Sequence, residues 1–324
     1  MNGLAIVIVT YNSEQVIGPC LDACPRSDAQ VIVVDNASQD QTVQIVRRRP
    51  WVKLIANPEN RGFAAAVNQG IAGTRMPLIL LLNPDAILEA GLDELAGTCR
   101  LAGTGAAAGQ LIGPDGEFQK GFSVRRLPTA ASLALEVLGI NRLWPANPVN
   151  RRFRCHDFDP RMASVVEQPA GAFLMTPRQV WEQIGGFDEG FRPLWFEDVD
   201  YCRRLKDRGF LIRYDPRASA RHLGAHSAAR LDWDKKEVYW YANLLRYAVR
   251  HVSRLGSIVV CLAVIGGALL RLVMGVFRRR GLEPVRVYGK VLRLACRYLF
   301  FPGSGSWKSG TGTTFINQAQ INVL

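Results

Sequence analysis

The sequence lacks the cysteine and histidine spacings that mark disulfide scaffolds and zinc proteins. Its seven cysteines and four histidines are scattered over 324 residues, and no two cysteines form a CxxC pair. This pattern excludes zinc fingers and gives no disulfide framework. We therefore predict reduced, mostly buried thiols. The chain also begins without a basic segment or a cleavage site, so we expect no secretory signal and a cytoplasmic protein.

Two glycine motifs that cradle phosphates are missing as well. GxGxxG does not follow the first apolar run, and GxxxxGK[ST] occurs nowhere in the chain. A ligand that carries phosphate would therefore need a divalent cation or arginine side chains.

Positive charge is concentrated at one end of the chain. The net charge is +12, but residues 231–324 hold 14 Lys and Arg against 4 Asp and Glu, whereas residues 1–230 hold 26 against 24. A basic nucleic-acid-binding protein is one interpretation. The charge accompanies a long apolar stretch and no RNA- or DNA-binding motif, so we expect no nucleic-acid partner.

Three short apolar runs predict a parallel sheet. Residues 4–9, 31–34 and 78–82 lack polar alternation, which is typical of strands buried on both faces. Stretches that favour helix lie roughly at 14–24, 41–49 and 62–73. The order β-α-β-α-β-α predicts an α/β fold with a doubly wound, mostly parallel sheet, whose ligand crevice lies beyond the carboxyl ends of the strands.

Each predicted strand ends in polar residues, at 10–12, 35–36 and 83–85. Taken alone, residues 35–38 fit a helix cap as well as a ligand site, and residues 83–85 fit a common turn. Their convergence on one crevice favours a ligand site. Asp85 offers a hard oxygen ligand for Mg or Mn, and Arg61 offers a fork for phosphate, so a metal-bound diphosphate is predicted.

Three carboxylates crowd into four residues at Glu197, Asp198 and Asp200. Crowded like charges disfavour joint ionisation and are one way to tune a carboxylate toward base chemistry. The alternative is the acidic first turn of an amphipathic helix. On such a helix Asp198 shares a face with Tyr201, whereas Glu197 points about 100° away.

Together these segments resemble an inverting glycosyltransferase of family 2 with the GT-A fold, within the rhamnosyltransferase-like branch. The matching segments are VTYN (9–12), VVDNAS (33–38), NRGF to NQG (60–70), LNPD (82–85), GAFL (171–174), GGFDE (185–189), FEDVD (196–200) and HLGAHS (222–227). The resemblance spans residues 3–230.

The resemblance implies roles for individual residues. It assigns the nucleotide to Thr10, Tyr11, Asn12, Asp35, Asn36, Arg61, Asn68 and Asn83. It assigns the divalent cation, Mg or Mn, to Asp85 and His222, with Ser227 near His222 and no role for His226. The family's DXD motif reads Asn83-Pro84-Asp85 here, so one of its carboxylates is missing.

The same resemblance makes Asp198 the base that deprotonates the acceptor, with Glu197 beside it in the catalytic pair. Gly171, Ala172, Trp195 and Asp200 are assigned to the acceptor side, although Trp195 fits a core position equally well. Residues 119–161 match nothing specific and are expected to form an acceptor-side insertion.

The implied reaction moves L-rhamnose from dTDP-rhamnose to a polyprenyl-diphosphate-linked or other glycan acceptor. A UDP-hexose donor is the alternative within the family, and a catalytically inactive membrane-assembly scaffold is the alternative outside it. The expected pathways are bacterial cell-wall, O-antigen or exopolysaccharide synthesis.

The C-terminal third predicts membrane association. Residues 255–270 carry no charge, and Arg271 near the far end could snorkel. In residues 285–301 four cations fall at helical spacing on one face: Arg286, Lys290, Arg293 and Arg297. We expect monotopic attachment to an anionic membrane surface on the inner face of the plasma membrane; a spanning helix and a homodimer helix are the alternatives.

The predicted domains are therefore a glycosyltransferase domain at 1–235, a basic apolar helical region at 236–302, and a flexible tail at 303–324, rich in Gly, Ser and Thr at its start.

Overall fold

A computed structural model describes residues 3–224, 232–279 and 282–301, with the side chains of 276–279 left aside. Within these ranges the chain forms two compact units: residues 3–128 with 146–224, and residues 129–145 with the helices that follow residue 231. His226, Ser227 and the predicted tail lie outside the described residues.

The first unit contains all of the strands that the structure describes. They are β1 (Leu4–Thr10), β2 (Ala29–Asp35), β3 (Val52–Ala56), β4 (Leu78–Leu82), β5 (Ala86–Ala90), β6 (Thr104–Ile112), β7 (Val124–Arg125), β8 (Ser164–Val166), β9 (Gln168–Pro169), β10 (Phe173–Pro177) and β11 (Leu211–His222). Its helices are α1 (Ile17–Asp22), α2 (Thr42–Arg47), α3 (Phe63–Ala72), α4 (Leu92–Cys99), α7 (Pro148–Phe153), α8 (Arg178–Ile184) and α9 (Glu197–Asp207).

A nine-stranded sheet organises this unit in the order β3-β2-β1-β4-β10-β6-β11-β5, with β8 paired to β11. Strands β3, β2, β1 and β4 are parallel. Every residue of β1 and β4 is buried, as their unbroken apolar sequences predict. The expected α/β class with a mostly parallel central sheet is confirmed.

Eight of the eleven described strands were not expected from the sequence, β3 and β10 among them. Strand β3 is an edge strand with the sequence VKLIA, and Lys53 interrupts the apolar pattern that would have revealed it. Strand β10 enters between β4 and β6 and runs antiparallel to both. Because it is reversed, β10 starts at the edge of the sheet where β1, β2 and β4 end.

The second unit consists of helices. They are α5 (Ala130–Val137), α6 (Ile140–Leu143), α10 (Trp233–His251), α11 (Arg254–Arg279) and α12 (Glu283–Phe300). Arg271 of α11 does not snorkel as predicted: its guanidinium donates to the carbonyl of Val137 at the end of α5, and to Gly267 O at 3.1 Å. A cation at a helix C-terminus is favourable, because that end carries partial negative charge.

Helix α11 has one buried face and one exposed apolar face. Val260, Val264 and Ala268 are buried inside the helical unit. The exposed side chains, each 49% or more accessible, are Leu255, Val259, Leu262, Leu269, Leu270 and Val273. Among the described residues one stretch, Arg254–Gly275, is long and apolar enough to cross a membrane, and only a third of it is buried.

All seven cysteines are described, and none is in a disulfide. Five of them are buried, so the prediction of mostly buried thiols is confirmed.

Gly70 tests the contact of α3 with the sheet. A Cβ at this position would lie 2.6 Å from Val7 Cγ1 and 3.0 Å from Val34 Cγ2. We expect Gly70→Ala to destabilise the fold by about 1–3 kcal/mol, because overpacking forces both strands to shift. Gly97→Ala in α4 is the control: no atom lies within 4 Å of its added Cβ, so the better helix propensity should stabilise it. Urea unfolding checks both, and equal effects would contradict this packing.

Candidate active site

Asp35 joins the ends of the two strands that begin the crevice. Its Oδ1 accepts hydrogen bonds from Thr10 Oγ1 at 2.8 Å and Ser38 Oγ at 2.5 Å, and its Oδ2 accepts from Ser38 N at 2.9 Å. The side chain is buried. The carboxylate therefore holds β1, β2 and the loop after β2 in one arrangement. Direct contact of Asp35 with a nucleoside remains a prediction.

The loops after β1 and β2 are bound to each other through Asn12. Its backbone N–H donates to Ser38 Oγ at 2.8 Å, and its Oδ1 accepts from Gln39 N at 2.7 Å. Asn12 and Ala37 both adopt positive φ, at 51° and 64°. Backbone strain of this kind persists where surrounding contacts fix it and is concentrated at functional sites. Tyr11, between these anchors, is half-buried.

Asn36 supports the loop that carries Arg61. Its Nδ2 donates to Gly62 O at 3.1 Å, while its Oδ1 accepts from Asn57 Nδ2 at 3.1 Å. The backbone carbonyl of Arg61 accepts a hydrogen bond from the guanidinium of Arg192 at 2.8 Å. Asn36 thus supports the backbone of the loop that carries Arg61.

Asn68 faces a different neighbour from the other predicted nucleotide residues. Its amide pairs with the backbone N and O of Phe187 at 3.1 and 3.0 Å and with Glu189 at 3.0 Å. Asn68 is therefore a positioning residue, which fastens α3 to the segment before α9.

Asp85 and His222 meet on neighbouring strands. His222 ends β11 and pairs in register with Ala86 of β5, directly after Asp85. Asp85 Oδ1 lies 3.4 Å from His222 Nε2, and Asn83 Nδ2 also lies 3.4 Å from that nitrogen. Both Asp85 and His222 are buried. The structure therefore brings the two predicted metal residues together.

Gln119 fixes the tautomer of His222. Gln119 Nε2 donates to the His222 carbonyl at 2.8 Å, so its Oε1 accepts from His222 Nδ1 at 3.0 Å. The ring of Phe122 stacks on the imidazole, with centroids 5.3 Å apart and an 11° interplanar angle. Nε2 is then the nitrogen that presents a lone pair toward Asp85.

This pair suits a divalent cation. His222 Nε2 and the Asp85 carboxylate oxygen lie 3.4 Å apart, so both could face one positive charge, which a divalent cation or a proton on Nε2 would supply. Imidazole and carboxylate are both ligands for Mn and related ions. No group of three His, Cys, Asp or Glu side chains forms a metal cluster within the described ranges, so diphosphate oxygens and water would have to complete the coordination.

Asp198 lies beside this edge because of Gly171. The Gly171 N–H donates to Asp198 Oδ2 at 3.0 Å, and a Cβ on Gly171 would lie 3.1 Å from Asp198 Cβ. Ala172, the next residue, accepts a hydrogen bond from Asn83 N at 3.0 Å. Both Gly171 and Ala172 are buried. Gly171 thus holds Asp198 close to Ala172 and the end of β4, and contact of Gly171 and Ala172 with an acceptor stays a prediction.

Glu197 differs sharply from its neighbour. It is buried, and its Oε2 has no hydrogen-bond partner within the described part of the chain. Burial raises the pKa of Glu197 well above its ordinary value, and the charge of Asp198 raises it further. The raised pKa favours the protonated form of Glu197, whereas Asp198 is half-buried at the surface of the crevice.

Asp200 is not placed to bind an acceptor. Its side chain is fully buried and pairs with Arg204 Nε at 2.7 Å. The same guanidinium donates to the carbonyls of Ile184 and Gly186 at 2.9 and 2.7 Å. Asp200 therefore anchors α9 to the segment that follows α8, which explains why a carboxylate is needed at this position.

Trp195 and Phe196 enter α9 in an unusual conformation. Both have positive φ, 79° and 74°, and Trp195 is half-buried. Phe196 O accepts the hydrogen bond from Asp200 N at 2.8 Å. With Asn12 and Ala37, four of the five non-glycine residues with positive φ in the described chain lie at this site.

Comparison with known proteins identifies the family. Residues 5–143 match the family described as Glycosyl transferase family 2. The chain is 31% identical over 252 residues to the N-acetylglucosaminyl-diphospho-decaprenol L-rhamnosyltransferase of Mycobacterium tuberculosis, covering 70% of this chain and 78% of that protein. The chain belongs to glycosyltransferase family 2. It is also 24% identical to the rhamnosyltransferase WbbL of Escherichia coli K12, over 78% of this chain and 98% of that protein.

Two solved structures share the fold of this family 2 member. The mannosyltransferase PcManGT from Pyrobaculum calidifontis, in complex with GDP-Man and Mn²⁺, has a TM-score of 0.52 at 15% identity, covering 94% of this chain and 88% of that one. GalNAc-T7 with UDP, GalNAc and Mn²⁺ also scores 0.52, at 14% identity, covering 76% of this chain and 48% of that one. The expected GT-A fold and rhamnosyltransferase-like branch are confirmed.

Glu197→Gln tests the neutral state of the buried acid. In the unfolded chain Glu197 ionises in the ordinary carboxyl range, but in the folded chain it keeps its proton to higher pH. The wild-type protein therefore loses stability, relative to Glu197→Gln, as the pH rises above that range. We expect the melting temperature of the variant, relative to that of the wild type, to rise between about pH 4 and pH 7.

The control for this pH series is Glu94→Gln in α4, where the side chain is exposed. Its difference from the wild type should stay nearly constant with pH. A constant difference for Glu197→Gln as well would contradict a buried neutral acid.

Proposed function

We propose that this family 2 glycosyltransferase is an inverting enzyme that moves L-rhamnose from dTDP-rhamnose to a sugar linked to a lipid diphosphate. The observation that carries the proposal is the bond from Gly171 N–H to Asp198. It puts a half-buried carboxylate directly beside the strand end that holds Asn83 and Asp85. Donor residues and a candidate base thus share one edge of the sheet.

Asp198 acts as the general base in this proposal. As the acceptor oxygen attacks the anomeric carbon, its proton passes to Asp198 Oδ1 or Oδ2, and the bond from the anomeric carbon to the nucleotide diphosphate breaks. The pair of electrons leaves with the diphosphate, and the configuration inverts because the acceptor oxygen attacks from the opposite face of the anomeric carbon. The raised pKa of Glu197 favours its protonated form, which would spare Asp198 a second adjacent charge.

A Mg or Mn ion would be held by Asp85 and His222 Nε2. When bound, it would stabilise negative charge on the departing diphosphate. Because Nδ1 donates to Gln119, the neutral imidazole has its lone pair on Nε2, and Asn83 Nδ2 lies 3.4 Å from the same nitrogen. The missing first carboxylate of the DXD motif is thus offset by a buried histidine fixed in one tautomer.

The relatives support the choice of sugar and acceptor. The name of the M. tuberculosis relative specifies an L-rhamnosyl transfer to an N-acetylglucosaminyl-diphospho-lipid, and the E. coli relative is also a rhamnosyltransferase. Their agreement favours rhamnose over the alternative UDP-hexose donor. A donor screen with dTDP-rhamnose, UDP-glucose, UDP-galactose and UDP-N-acetylglucosamine decides between them: the proposal requires transfer from dTDP-rhamnose.

Asp198→Asn tests the base. Asparagine keeps an acceptor for Gly171 N–H but cannot take a proton, so we expect transfer to fall by about 10²–10⁴-fold while nucleotide binding persists. Asp207→Asn on the same helix is the control, since Asp207 pairs with Arg203 at the surface. Full transfer by Asp198→Asn would overturn the assignment. Loss of nucleotide binding as well would point to a donor role instead.

The proposed location of the enzyme is an anionic membrane surface. The exposed apolar face of α11 supplies area to insert, and three of the four predicted cations on α12, Arg286, Arg293 and Arg297, are exposed. Val287, Val291 and Ala295 on the same helix are buried. Apolar insertion combined with basic side chains is typical of helices in the plane of an anionic bilayer. Lipid-linked acceptors would be met at that surface.

The triple variant Val259→Ser, Leu262→Ser and Leu269→Ser tests this attachment. Each change removes exposed apolar area without touching the buried face of α11, so vesicle binding should weaken by at least about tenfold. Cosedimentation with vesicles containing anionic lipid measures it. Leu101→Ser, at an equally exposed position in the first unit, should bind like the wild type. Unchanged binding of the triple variant would rule out this face as the membrane contact.

A further inference from the structure

A separate cavity opens in the first unit, in the segment that the sequence left unexplained. It has a volume of about 770 Å³ and is lined by three stretches: 124–126, 146–158 and 165–167. None of the predicted nucleotide or metal residues contributes to its wall.

Arginine dominates the charge of this cavity. Arg125, Arg126, Arg151 and Arg152 line it, against the carboxylates of Asp157 and Glu167. Both acids are already engaged: Asp157 lies 3.2 Å from Arg151 in an exposed pair, and Glu167 lies 2.9 Å from Lys206, which is outside the wall, and 3.8 Å from Arg126, which is part of it. No ion pair to Arg152 occurs in the described part of the chain. An excess of guanidinium groups remains, and guanidinium forks match phosphate oxygens.

Apart from Cys155 and His156, the rest of the wall is apolar. Val124, Pro148, Phe158, Val165 and Val166 contribute to it, and Val165 is 57% exposed. A free inorganic anion would gain nothing from these side chains. A ligand with an anionic head and a hydrocarbon chain would use both parts of the wall.

The cavity is connected to the donor side through aromatic stacking. The Arg125 guanidinium lies over the Phe122 ring, 6.0 Å from its centroid, and Phe122 in turn stacks on His222. Arg125 and His222 thus both contact one ring, and the contact restrains the position of both.

The cavity is connected to the base as well. Strand β7, which contains Arg125, pairs with β9 at Gln168–Pro169, and Ala170 N donates to Ser123 O at 3.0 Å. Gly171 follows at once and binds Asp198. The strained residue Cys155, φ 49°, is the fifth non-glycine residue with positive φ in the described chain, and it lines the cavity.

From these contacts we infer that the arginine-lined cavity binds the diphosphate of the acceptor lipid, while the sugar attached to that diphosphate reaches Asp198. This rests on the proposed function, which it extends by giving the acceptor's charged group a site of its own. The donor diphosphate has a different place, at Asp85 and His222, so the two diphosphates would not compete for one set of cations.

The kinetic test uses the full chain, two acceptors and the double variant Arg151→Gln/Arg152→Gln. One acceptor is N-acetylglucosamine on a short polyprenyl diphosphate, and the other is an alkyl N-acetylglucosaminide of equal chain length without phosphate. We expect the KM for the first acceptor to rise by about tenfold or more, as expected when charge-assisted hydrogen bonds are lost, and the KM for the second to change little.

Arg161→Gln is the matched control. Arg161 lies in the same segment, outside the cavity wall, and its exposed side chain pairs with Asp159 at 3.0 Å. This variant should keep the wild-type preference for the diphosphate acceptor. If the double variant keeps that preference too, the inference is wrong although the proposed function stands. A rise in the KM for the donor instead would place the arginines at the donor, which also overturns it.

A binding measurement is independent of transfer. Farnesyl diphosphate is titrated into the wild type and the double variant by calorimetry, with EDTA present to keep divalent cations from the Asp85 and His222 pair. The inference requires binding by the wild type that weakens about tenfold in the double variant. Equal binding overturns the inference, and so does absence of binding to the wild type. Absence of transfer from every donor would instead overturn the proposed function, whatever this measurement gives.

Discussion

The buried strands at the centre of the sheet leave polar side chains only one place to lie. Strands β1 and β4 are buried along their whole length, and an unpaired polar group within them would carry a large desolvation cost. Polar residues therefore begin where these strands end. Asp35 ties two such ends together. Its Oδ1 accepts a hydrogen bond from Thr10 at the end of β1, and its Oδ2 accepts one from Ser38 N in the loop after β2. The polar side chains of the site therefore lie at the edge of the sheet where these strands end.

The reversal of one strand brings a second segment of the chain to this edge. Had β10 run parallel to β4, Gly171 and Ala172 would lie at the opposite edge of the sheet. Because β10 is antiparallel, Phe173 pairs with Leu82 and the residues before it meet the end of β4. Asn83 N bonds to Ala172 O, and Gly171 N bonds to Asp198. Two adjacent backbone groups thus set the distance between the donor side and the base.

The sequence predicted the parts of this site that depend on runs and strand ends. The unbroken apolar runs at 4–9, 31–34 and 78–82 predicted buried strands and, through them, polar strand ends at one edge of the sheet. It did not predict β3, because Lys53 breaks the pattern of an edge strand. Nor did it predict Gln119 and Phe122: these contact His222 from about 100 residues away in the chain, and no local spacing records such a pair. The direction of β10 depends equally on long-range pairing.

The three crowded carboxylates show why residue type alone did not assign roles. In the sequence Glu197, Asp198 and Asp200 form one acidic cluster, in which like charges disfavour joint ionisation. In the fold each is held differently: Glu197 is buried, which raises its pKa, an ion pair with Arg204 holds Asp200, and the backbone N–H groups of Gly171 and Val199 hold Asp198. Asp198 is therefore the half-buried member of the three, at the surface of the crevice. The first turn of α9 thus also places the proposed base, with two buried acids beside it.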